Sequence, residues 1–413
     1  MRMSFSSANV HVETANHGKR YLFVFIEFFV FAVAVILTLN VLLGERGLGT
    51  AQATREASAW QQATQGVTYA PPITHTRPFK ILRLADRLPD INTMVLGSST
   101  LMGVTAEMFP SSMRLYNFAL TGNGTVSVVA EADYIERHLG ERIRWIVAGL
   151  DWSVGMIYQT ETVGTMDLSA NGAANSYARS DVPWHKRVED ALTWPKVVNL
   201  INVLKAALAS DQPLSTLRHT LFDIASEPYR CSDGALARDF DIINRGLCRG
   251  YRYDGSWTFA NDSRLTPAQS KMMALAATAS SSKYTKLLCT NAGTPHAEYL
   301  TRLGATAQRM AARGGRMVFM LPPLAPGLEQ ALLRTPRWRA CLEHTKSVLQ
   351  AWALQHQVTI IDAGASENFG CQALEFSDEH HAYPECNARV LRRFFADDAK
   401  SRVAPGLYRA GNL

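Results

Sequence analysis

The hydrophobic pattern of the chain opens with one long apolar stretch. Tyr21–Leu43 contains a single charged residue, Glu27. As a helix that rises ~1.5 Å per residue, it spans roughly 35 Å, enough for the ~30 Å hydrocarbon core of a membrane. Arg2, Lys19 and Arg20 precede this stretch, so the positive-inside rule predicts residues 1–20 in the cytoplasm and the bulk of the chain outside it.

Two alternatives stay open for this stretch. Ala51-Gln52-Ala53 has the small-x-small form of a signal-peptide cleavage site, but a signal peptide has a shorter apolar region of ~7–15 residues, which favours an uncleaved anchor. Glu27 either lies near the cytoplasmic interface, where it snorkels or is protonated, or contacts a partner helix.

Further along, short apolar runs that end in small residues predict buried strands, and apolar residues at helical spacing predict helices. The predicted strands are Asn92–Leu96, Arg114–Ala119, Arg144–Leu150, Gly315–Leu321 and Gln357–Asp362. The predicted helices are Thr125–Leu139, Trp184–Ser210, Tyr299–Arg313, Thr335–Gln355 and Asn387–Ala396. Because strands and helices alternate, we expect an α/β fold with one parallel sheet built from residues 90–152 and 298–400.

The remaining segments complete the predicted organisation. Residues 44–80 contain three prolines among Gly, Ala, Gln and Thr and are predicted to form a stalk, and residues 81–400 the exported domain. Residues 153–297, where the pattern weakens, are predicted to be a mixed insertion in that domain, and residues 401–413 a tail. Within the insertion, residues 228–262 are predicted to be loop, and Asp254-Gly255 either a turn or part of a glycan-facing aromatic edge.

Charge and motif content exclude several functions. The net charge of +6 is spread along the chain without a basic block, so no nucleic-acid partner is expected. The chain has no P-loop, no G-x-G-x-x-G and no H-E-x-x-H motif, so we expect neither a nucleotide cofactor nor a metal.

All six cysteines lie beyond residue 230, in the part predicted to be exported. An oxidising compartment permits up to three disulfides among them, and the alternative is that they are free, buried thiols. The pairs closest in sequence are Cys231–Cys248 and Cys371–Cys386, and Cys289 and Cys341 are the other two cysteines.

Two polar segments suggest the chemistry of the protein. Ser99 follows a predicted strand, at the sheet edge where open α/β folds place their sites. Asp378 precedes His381 by three residues, so it can orient an imidazole that takes the proton from Ser99. The backbone N–H of Ser99 and the glycine-rich turn containing Gly122 and Asn123 are predicted to form an oxyanion hole.

Three segments together carry a resemblance to a known family. They are Gly97-Ser98-Ser99, Tyr116-Asn117-Phe118-Ala119-Leu120-Thr121-Gly122, and Asp378-x-x-His381 followed by Ala382-Tyr383-Pro384. In this order they resemble the SGNH (GDSL-like) hydrolase superfamily, and especially its membrane-anchored G-[ST]-S branch, near the alginate O-acetylation proteins and the D-alanyl-lipoteichoic acid transfer protein. The resemblance covers residues 90–152 and 315–396.

This resemblance implies a three-layer fold and four roles. Ser99 would be the nucleophile, Gly122 N–H would lie in the oxyanion hole, His381 would be the base and Asp378 its orienter. His380 is a rival base, but the D-x-x-H spacing favours His381.

The sequence also departs from the family pattern at three positions. Ser98 replaces the usual Asp before the nucleophile, and Cys386 replaces a glycine that usually follows the histidine. Asp151 stands where the third motif has Asn. Because an ionised Asp would repel an oxyanion, either Asp151 points elsewhere or another donor such as Asn123 serves.

The sequence thus predicts a single-pass protein of the inner (cytoplasmic) membrane, with the bulk of the chain in the periplasm or otherwise outside the cytoplasm. We expect a serine esterase or acyltransferase that acts on O-acyl groups, with O-acetyl the expected one, of an envelope or secreted polysaccharide. Family analogy adds a membrane-bound O-acyltransferase as a partner. The alternative is a non-catalytic polysaccharide-binding or assembly subunit with a degenerate SGNH fold.

Overall fold

The computed structural model describes residues 8–42, 50–68, 76–151, 156–157, 163–169, 230–231, 250–258, 264–278, 283–401 and 403–410, with isolated residues between 192 and 214. The chain divides into two compact units. One comprises residues 1–52 and 177–226, and the other comprises residues 53–176 and 227–413.

The N-terminal unit contains helix α1, Ala8–Leu42. Within it, Lys19–Leu39 is long and apolar enough to cross a membrane. Its large apolar side chains are exposed, as expected of a surface that faces lipid; they include Phe23, Phe25, Phe28, Phe29 and Phe31. One membrane-spanning candidate helix is therefore present in the described part of the chain, at the position that the sequence predicts.

The second unit contains the other helices and the strands of the described residues. Its helices are α2 (Thr50–Thr64, which begins in the first unit), α3 (Thr76–Arg87), α4 (Thr125–Leu139), α5 (Pro267–Ala277), α6 (Lys283–Leu288), α7 (Ala297–Ala312), α8 (Leu328–Arg334), α9 (Pro336–His356) and α10 (Pro384–Ser401). Its strands are β1 (Val67–Thr68), β2 (Thr93–Leu96), β3 (Leu115–Asn117), β4 (Trp145–Gly149), β5 (Arg230–Cys231), β6 (Gly250–Tyr251), β7 (Trp257–Thr258), β8 (Arg316–Leu321), β9 (Thr359–Asp362) and β10 (Gly406–Tyr408).

Six strands form one parallel sheet in the order β10-β9-β8-β4-β2-β3. Alternate residues point to opposite faces. Met94 and Leu96 pack with residues of α4, α7 and α9, whereas Val95 packs with residues of α10. Both faces are thus buried, as is usual for parallel sheets. The predicted α/β fold with helices flanking a parallel sheet is confirmed, including the union of residues 90–152 and 298–400.

The C-terminal tail prediction is wrong for part of the segment 401–413. Gly406–Tyr408 forms β10, the sixth strand, which pairs in parallel with β9 through Leu407 and Ile360. Only three residues pair, too few to produce a recognisable apolar run. The tail therefore extends the sheet instead of leaving it.

The predicted stalk over residues 44–80 is also wrong where the structure describes it. Phe79 and Lys80 on α3 are buried in the domain, as is Gln61 on α2. Pro78 lies in the first turn of α3, where proline costs no helical hydrogen bond. Pro78 therefore lies at the start of a docked helix and not in an extended stalk.

A small antiparallel sheet, β5-β1-β6-β7, accounts for part of the predicted loop 228–262. Its β6–β7 hairpin contains the predicted turn, because Gly255 N–H donates to Arg252 O at 2.9 Å. Tyr251 is buried and packs edge-on against Trp257, so these two residues stabilise the hairpin. Tyr253 and Trp257 are partly exposed, and the glycan-facing alternative stays a prediction for them. The predicted helix Trp184–Ser210 falls almost wholly outside the described residues.

Two disulfides are present in the described part of the chain. Cys371–Cys386 is one of the pairs that are close in sequence. Cys289–Cys341 joins residues 52 positions apart, which sequence proximity does not predict. Cys248 lies outside the described residues, so the pairing of Cys231 stays a prediction.

Candidate active site

The turn after β2 positions Ser99. Ser98 caps a short 3₁₀ turn, Ser99–Leu101, by accepting a hydrogen bond from Thr100 N–H at 3.4 Å. Leu101 folds back over the strand ends, and a Cβ on Gly149 would lie 2.7 Å from its Cδ1. The glycine at the end of β4 thus leaves room for the turn that presents the half-buried Ser99 hydroxyl at the carboxyl edge of the sheet.

The loop before α10 brings a histidine and a carboxylate to this serine. Ser99 Oγ and His381 Nε2 lie 2.7 Å apart, and His381 Nδ1 and Asp378 Oδ2 lie 2.6 Å apart. The other carboxylate oxygen of Asp378 accepts hydrogen bonds from the backbone N–H groups of His380 and His381, at 2.9 and 2.8 Å. One short turn therefore fixes the carboxylate relative to the imidazole, and the three predicted catalytic residues form a serine–histidine–aspartate chain.

The interaction with Asp378 makes the imidazole of His381 more basic. Burial opposes charge on His381, but the hydrogen bond and charge of Asp378 outweigh it and raise the pKa of His381. Burial likewise opposes ionisation of Asp378, but the hydrogen bond and charge of His381 lower the pKa of Asp378 well below its usual range. An ionised Asp378 beside His381 is the arrangement that stabilises imidazolium after proton transfer.

The structure places His381, and not its neighbour, against the serine. The His380 ring lies beside that of His381, with the ring centroids 4.2 Å apart. His380 Nδ1 faces Asp378 Oδ1 at 3.6 Å. The hydrogen bond to Ser99 therefore belongs to the histidine that the D-x-x-H spacing favours.

Buried polar groups connect the end of β3 and the loop after it to the serine turn and to α3. Asn117, which is fully buried, donates from its side-chain amide to Leu101 O at 2.8 Å and Val104 O at 2.7 Å. Lys80, also fully buried, donates to Asn117 O at 2.9 Å and Ala119 O at 2.6 Å. Because unpaired buried polar groups are costly, these bonds hold the end of β3 in a fixed position relative to the segment after Ser99 and to α3.

Gly122, the glycine predicted to lie in the oxyanion hole, comes three residues after Ala119. Leu120 N–H donates to Gly97 O at 3.0 Å, which holds this loop beside the end of β2. Gly122 has φ of +69°, a conformation that glycine adopts without strain. Within the described residues, neither Gly122 N–H nor Ser99 N–H donates a hydrogen bond, and their role in an oxyanion hole stays a prediction.

Asn123 is engaged elsewhere. Its side-chain amide donates to Gly97 O and to both carboxylate oxygens of Glu131, each at 3.2 Å, and its Oδ1 accepts from Arg77 at 2.8 Å. Its backbone N–H donates to Leu120 O at 3.2 Å. Asn123 thus supports the loop. Because its side-chain and backbone N–H groups all donate to groups in the described part of the chain, none is free for the predicted role of oxyanion donor.

Asp151 lies at the end of β4, beside the strand that carries Ser99. Burial raises its pKa, against the opposing effect of the imidazoles of His380 and His381 and of a hydrogen bond with Ser98. Asp151 therefore lies close enough to Ser98 and to both imidazoles to interact with them.

The same cluster could be considered as a metal site. Ligand atoms of Asp378, His380 and His381 lie within 4.8 Å of one another. However, both nitrogens of His381 are already occupied by Asp378 and Ser99. A metal bound through His381 would therefore break the serine–histidine–aspartate chain.

No family model matches the chain, and a search of the curated proteins finds none that is significantly similar to it. The assignment of the site therefore depends on its geometry.

Sequence reasoning missed three residues that support the site: Lys80 and Glu131, which are buried, and Arg77, which is partly exposed. Lys80 was assigned to the predicted stalk, and Arg77 and Glu131 have no motif. Arg77 and Glu131 are joined by an ion pair beneath Asn123. The spacing of residues in the sequence does not reveal which charged side chains are buried, although Lys80 is next to the buried Phe79 on an amphipathic helix.

Proposed function

We propose that this protein is a membrane-anchored serine esterase or acyltransferase, similar to the SGNH hydrolases, that acts on O-acyl groups of an envelope or secreted polysaccharide. The observation that carries the proposal is the 2.7 Å contact between Ser99 Oγ and His381 Nε2, with Asp378 on the opposite ring nitrogen. Serine is a weak nucleophile at neutral pH, and an oriented histidine is the usual way to activate it.

The first half-reaction uses the proposed roles in order. His381 Nε2 takes the proton from Ser99 Oγ as this oxygen attacks the acyl carbonyl carbon. The N–H groups of Ser99 and Gly122 stabilise the resulting oxyanion. When the carbon–oxygen bond to the leaving alcohol breaks, His381 returns the proton to that alcohol, and the acyl group remains on Ser99.

The second half-reaction decides between hydrolysis and transfer. Water or a sugar hydroxyl gives its proton to His381 and attacks the acyl-serine, and the proton then returns to Ser99. A bound sugar outcompetes water when its hydroxyl is held in place, since effective molarities reach ~10⁵ M or more. Both activities therefore share one set of residues.

The location of the domain is part of the proposal. Helix α1 would anchor the chain in the inner membrane with residues 1–20 in the cytoplasm, and the two disulfides support an oxidising compartment for the domain. A membrane-bound O-acyltransferase would supply acyl groups, by analogy with the related family. A reporter that is active only outside the cytoplasm, fused after Leu413, should be active; activity of a cytoplasm-only reporter there would reverse the topology.

The rival function is a non-catalytic polysaccharide-binding or assembly subunit. It is favoured by Asp151, because a carboxyl group stands where the related enzymes have an amide donor. Purified full-length protein should hydrolyse a model acetyl ester, and added oligosaccharide should divert acetyl to sugar if the protein is a transferase. Absence of ester turnover, together with unchanged glycan acetylation after gene deletion, would favour the rival.

A further inference from the structure

A half-open cavity of about 730 Å³ lies beside β9 and β10, apart from the serine. Its walls come from α8, α9, the loop after β9 and the residues after β10, and none of Ser99, Asp378 and His381 lines it. Its size falls within the ~300–1,000 Å³ range of small-molecule sites. Strand β9 lies three positions from β2 in the sheet, or about 14 Å at ~4.8 Å per strand.

Four paired charges line the inner part of this cavity. Lys346 Nζ donates to Glu329 Oε1 at 2.7 Å and to Asp362 Oδ1 at 2.9 Å, and Arg409 Nε donates to Asp362 Oδ2 at 2.9 Å. The two carboxylates and two cations balance, and the exposed Glu343 adds one negative charge to the lining. This balance disfavours an anionic ligand, and Lys346 already occupies the place that a bound cation would take.

One buried acceptor in this network has no partner. Glu329 is 7% exposed, and its Oε2 makes no hydrogen bond in the described part of the chain. This oxygen packs against Gly364, where an added Cβ would lie 2.0 Å from it, so a ligand in the cavity would meet the other lining groups instead.

The outer walls combine neutral hydrogen-bonding groups with apolar surface. Exposed Gln330, Ser347 and Asn368 supply amides and a hydroxyl, and four apolar side chains complete the lining: Leu333, Leu342, Phe369 and Leu407. A pyranose ring has the matching chemistry, with hydroxyl groups around its edge and C–H groups on its faces. A phosphate or uronate group would find the buried Lys346 and the exposed Arg409 already paired with carboxylates.

Hydrogen bonds connect the cavity to the serine–histidine site. Ser366 Oγ, in the loop after β9, donates to Leu324 O at 2.5 Å. The next residue, Ala325, donates from its N–H to Glu379 O at 2.9 Å, within the turn that carries Asp378 and His381. Both sites also lie at the carboxyl edge of the same sheet.

We propose that this cavity binds an uncharged segment of a glycan chain, at a distance from the residue whose acyl group Ser99 attacks. The inference takes its ligand class from the proposed function, but sugar binding here does not need Ser99 to be a nucleophile. The site would thereby select neutral hexose or N-acetylhexosamine segments over polyuronates.

The test is calorimetric titration of the full-length Ser99→Ala protein in detergent. The probes are neutral hexose and N-acetylhexosamine tetrasaccharides, with a uronic acid tetrasaccharide as the charged comparison. We expect at least one neutral probe to bind and the uronate to bind at least tenfold more weakly. Ser347→Trp, which fills the cavity from an exposed position, should weaken neutral binding at least tenfold, and Asn368→Ala should weaken it several-fold.

Gln355→Trp is the matched control, since Gln355 is also exposed on α9 but does not line the cavity. This variant should bind as the Ser99→Ala parent does. Absence of binding of every neutral probe, preference for the uronate, or unchanged binding in Ser347→Trp would each overturn the inference. Because turnover is removed from the assay, these outcomes are independent of whether Ser99 proves to be a nucleophile.

Discussion

Ser99 Oγ and His381 Nε2 lie 2.7 Å apart, although 282 positions separate the two residues in the chain. The serine is held by the sheet, at the turn after β2. The histidine is held by a turn just before α10, within the loop that Cys371–Cys386 closes. Catalysis would therefore depend on how precisely this loop packs on the sheet edge, because a misplacement of ~1 Å can cost ~10²-fold in rate.

The three residues should act as a unit. Ser99→Ala and His381→Ala should each abolish ester turnover, and the double variant should be no worse than either, since such effects are strongly non-additive. His380→Ala is the control, because the hydrogen bond to Ser99 comes from His381. The measurement is the steady-state rate of ester hydrolysis by the four variants. Inactivation by His380→Ala but not by His381→Ala would reverse the choice of base.

The pH dependence of kcat/KM should report His381. The base must be neutral, so activity should rise with pH through the pKa of His381, which Asp378, Asp151 and Glu379 raise above its usual value of ~6.5 despite burial. Asp378→Asn removes the largest of these raising effects. It should move the rising limb to lower pH and reduce the plateau by up to ~10⁴-fold. An unmoved or upward-shifted limb would contradict the role of Asp378.

The two disulfides should differ in their effect on turnover. Cys371–Cys386 closes a 15-residue separation around the catalytic turn, whereas Cys289–Cys341 spans 52 positions elsewhere. By loop entropy, removal should cost ~3 kcal/mol of stability for the first bridge and ~4 kcal/mol for the second. Only paired replacement of Cys371 and Cys386 by Ser should also lower kcat, as measured below the unfolding transition. Equal effects of both bridges on kcat would contradict this.

Gly122 and Gly314 offer a matched pair for the oxyanion hole. Both have positive φ, +69° and +71°, and a Cβ on either would meet no atom within 4 Å. Alanine should therefore cost ~1–2 kcal/mol of stability at each, from backbone strain. Gly122→Ala should in addition lower kcat, because relaxation of the strain moves its N–H, whereas Gly314→Ala should leave kcat unchanged. Unfolding curves and kcat together make the comparison, and unaltered turnover in Gly122→Ala would remove this N–H from the mechanism.

Much of the fold was predictable because the sheet strands are buried on both faces and read as apolar runs. Thr125–Leu139 was predicted to the residue, since Gly124 and Gly140 flank it. β10 was missed because three residues carry too little pattern. The stalk was misassigned because its prolines suggested extended chain, whereas Phe79, Ile81 and Leu84 place an apolar face on the domain.

The candidate site was predictable in part. Ser99, Asp378 and His381 were identified from local motifs, because each lies in a short segment with its own spacing. The support beneath them was not, since Lys80, Asn117 and Glu131 act through contacts between distant segments. Asn123 was assigned as a donor from its place in the turn, and only its hydrogen-bond partners reveal that its N–H groups are engaged.

The most direct test of a nucleophilic Ser99 is labelling with a fluorophosphonate probe, followed by mass mapping of the modified residue. Folded full-length protein should be labelled on Ser99. Labelling should be lost in Ser99→Ala, should be strongly slowed in His381→Ala, and should persist in Ser112→Ala, which changes an exposed serine outside the site. Absence of labelling in folded wild-type protein, or labelling that persists in Ser99→Ala, would contradict the account.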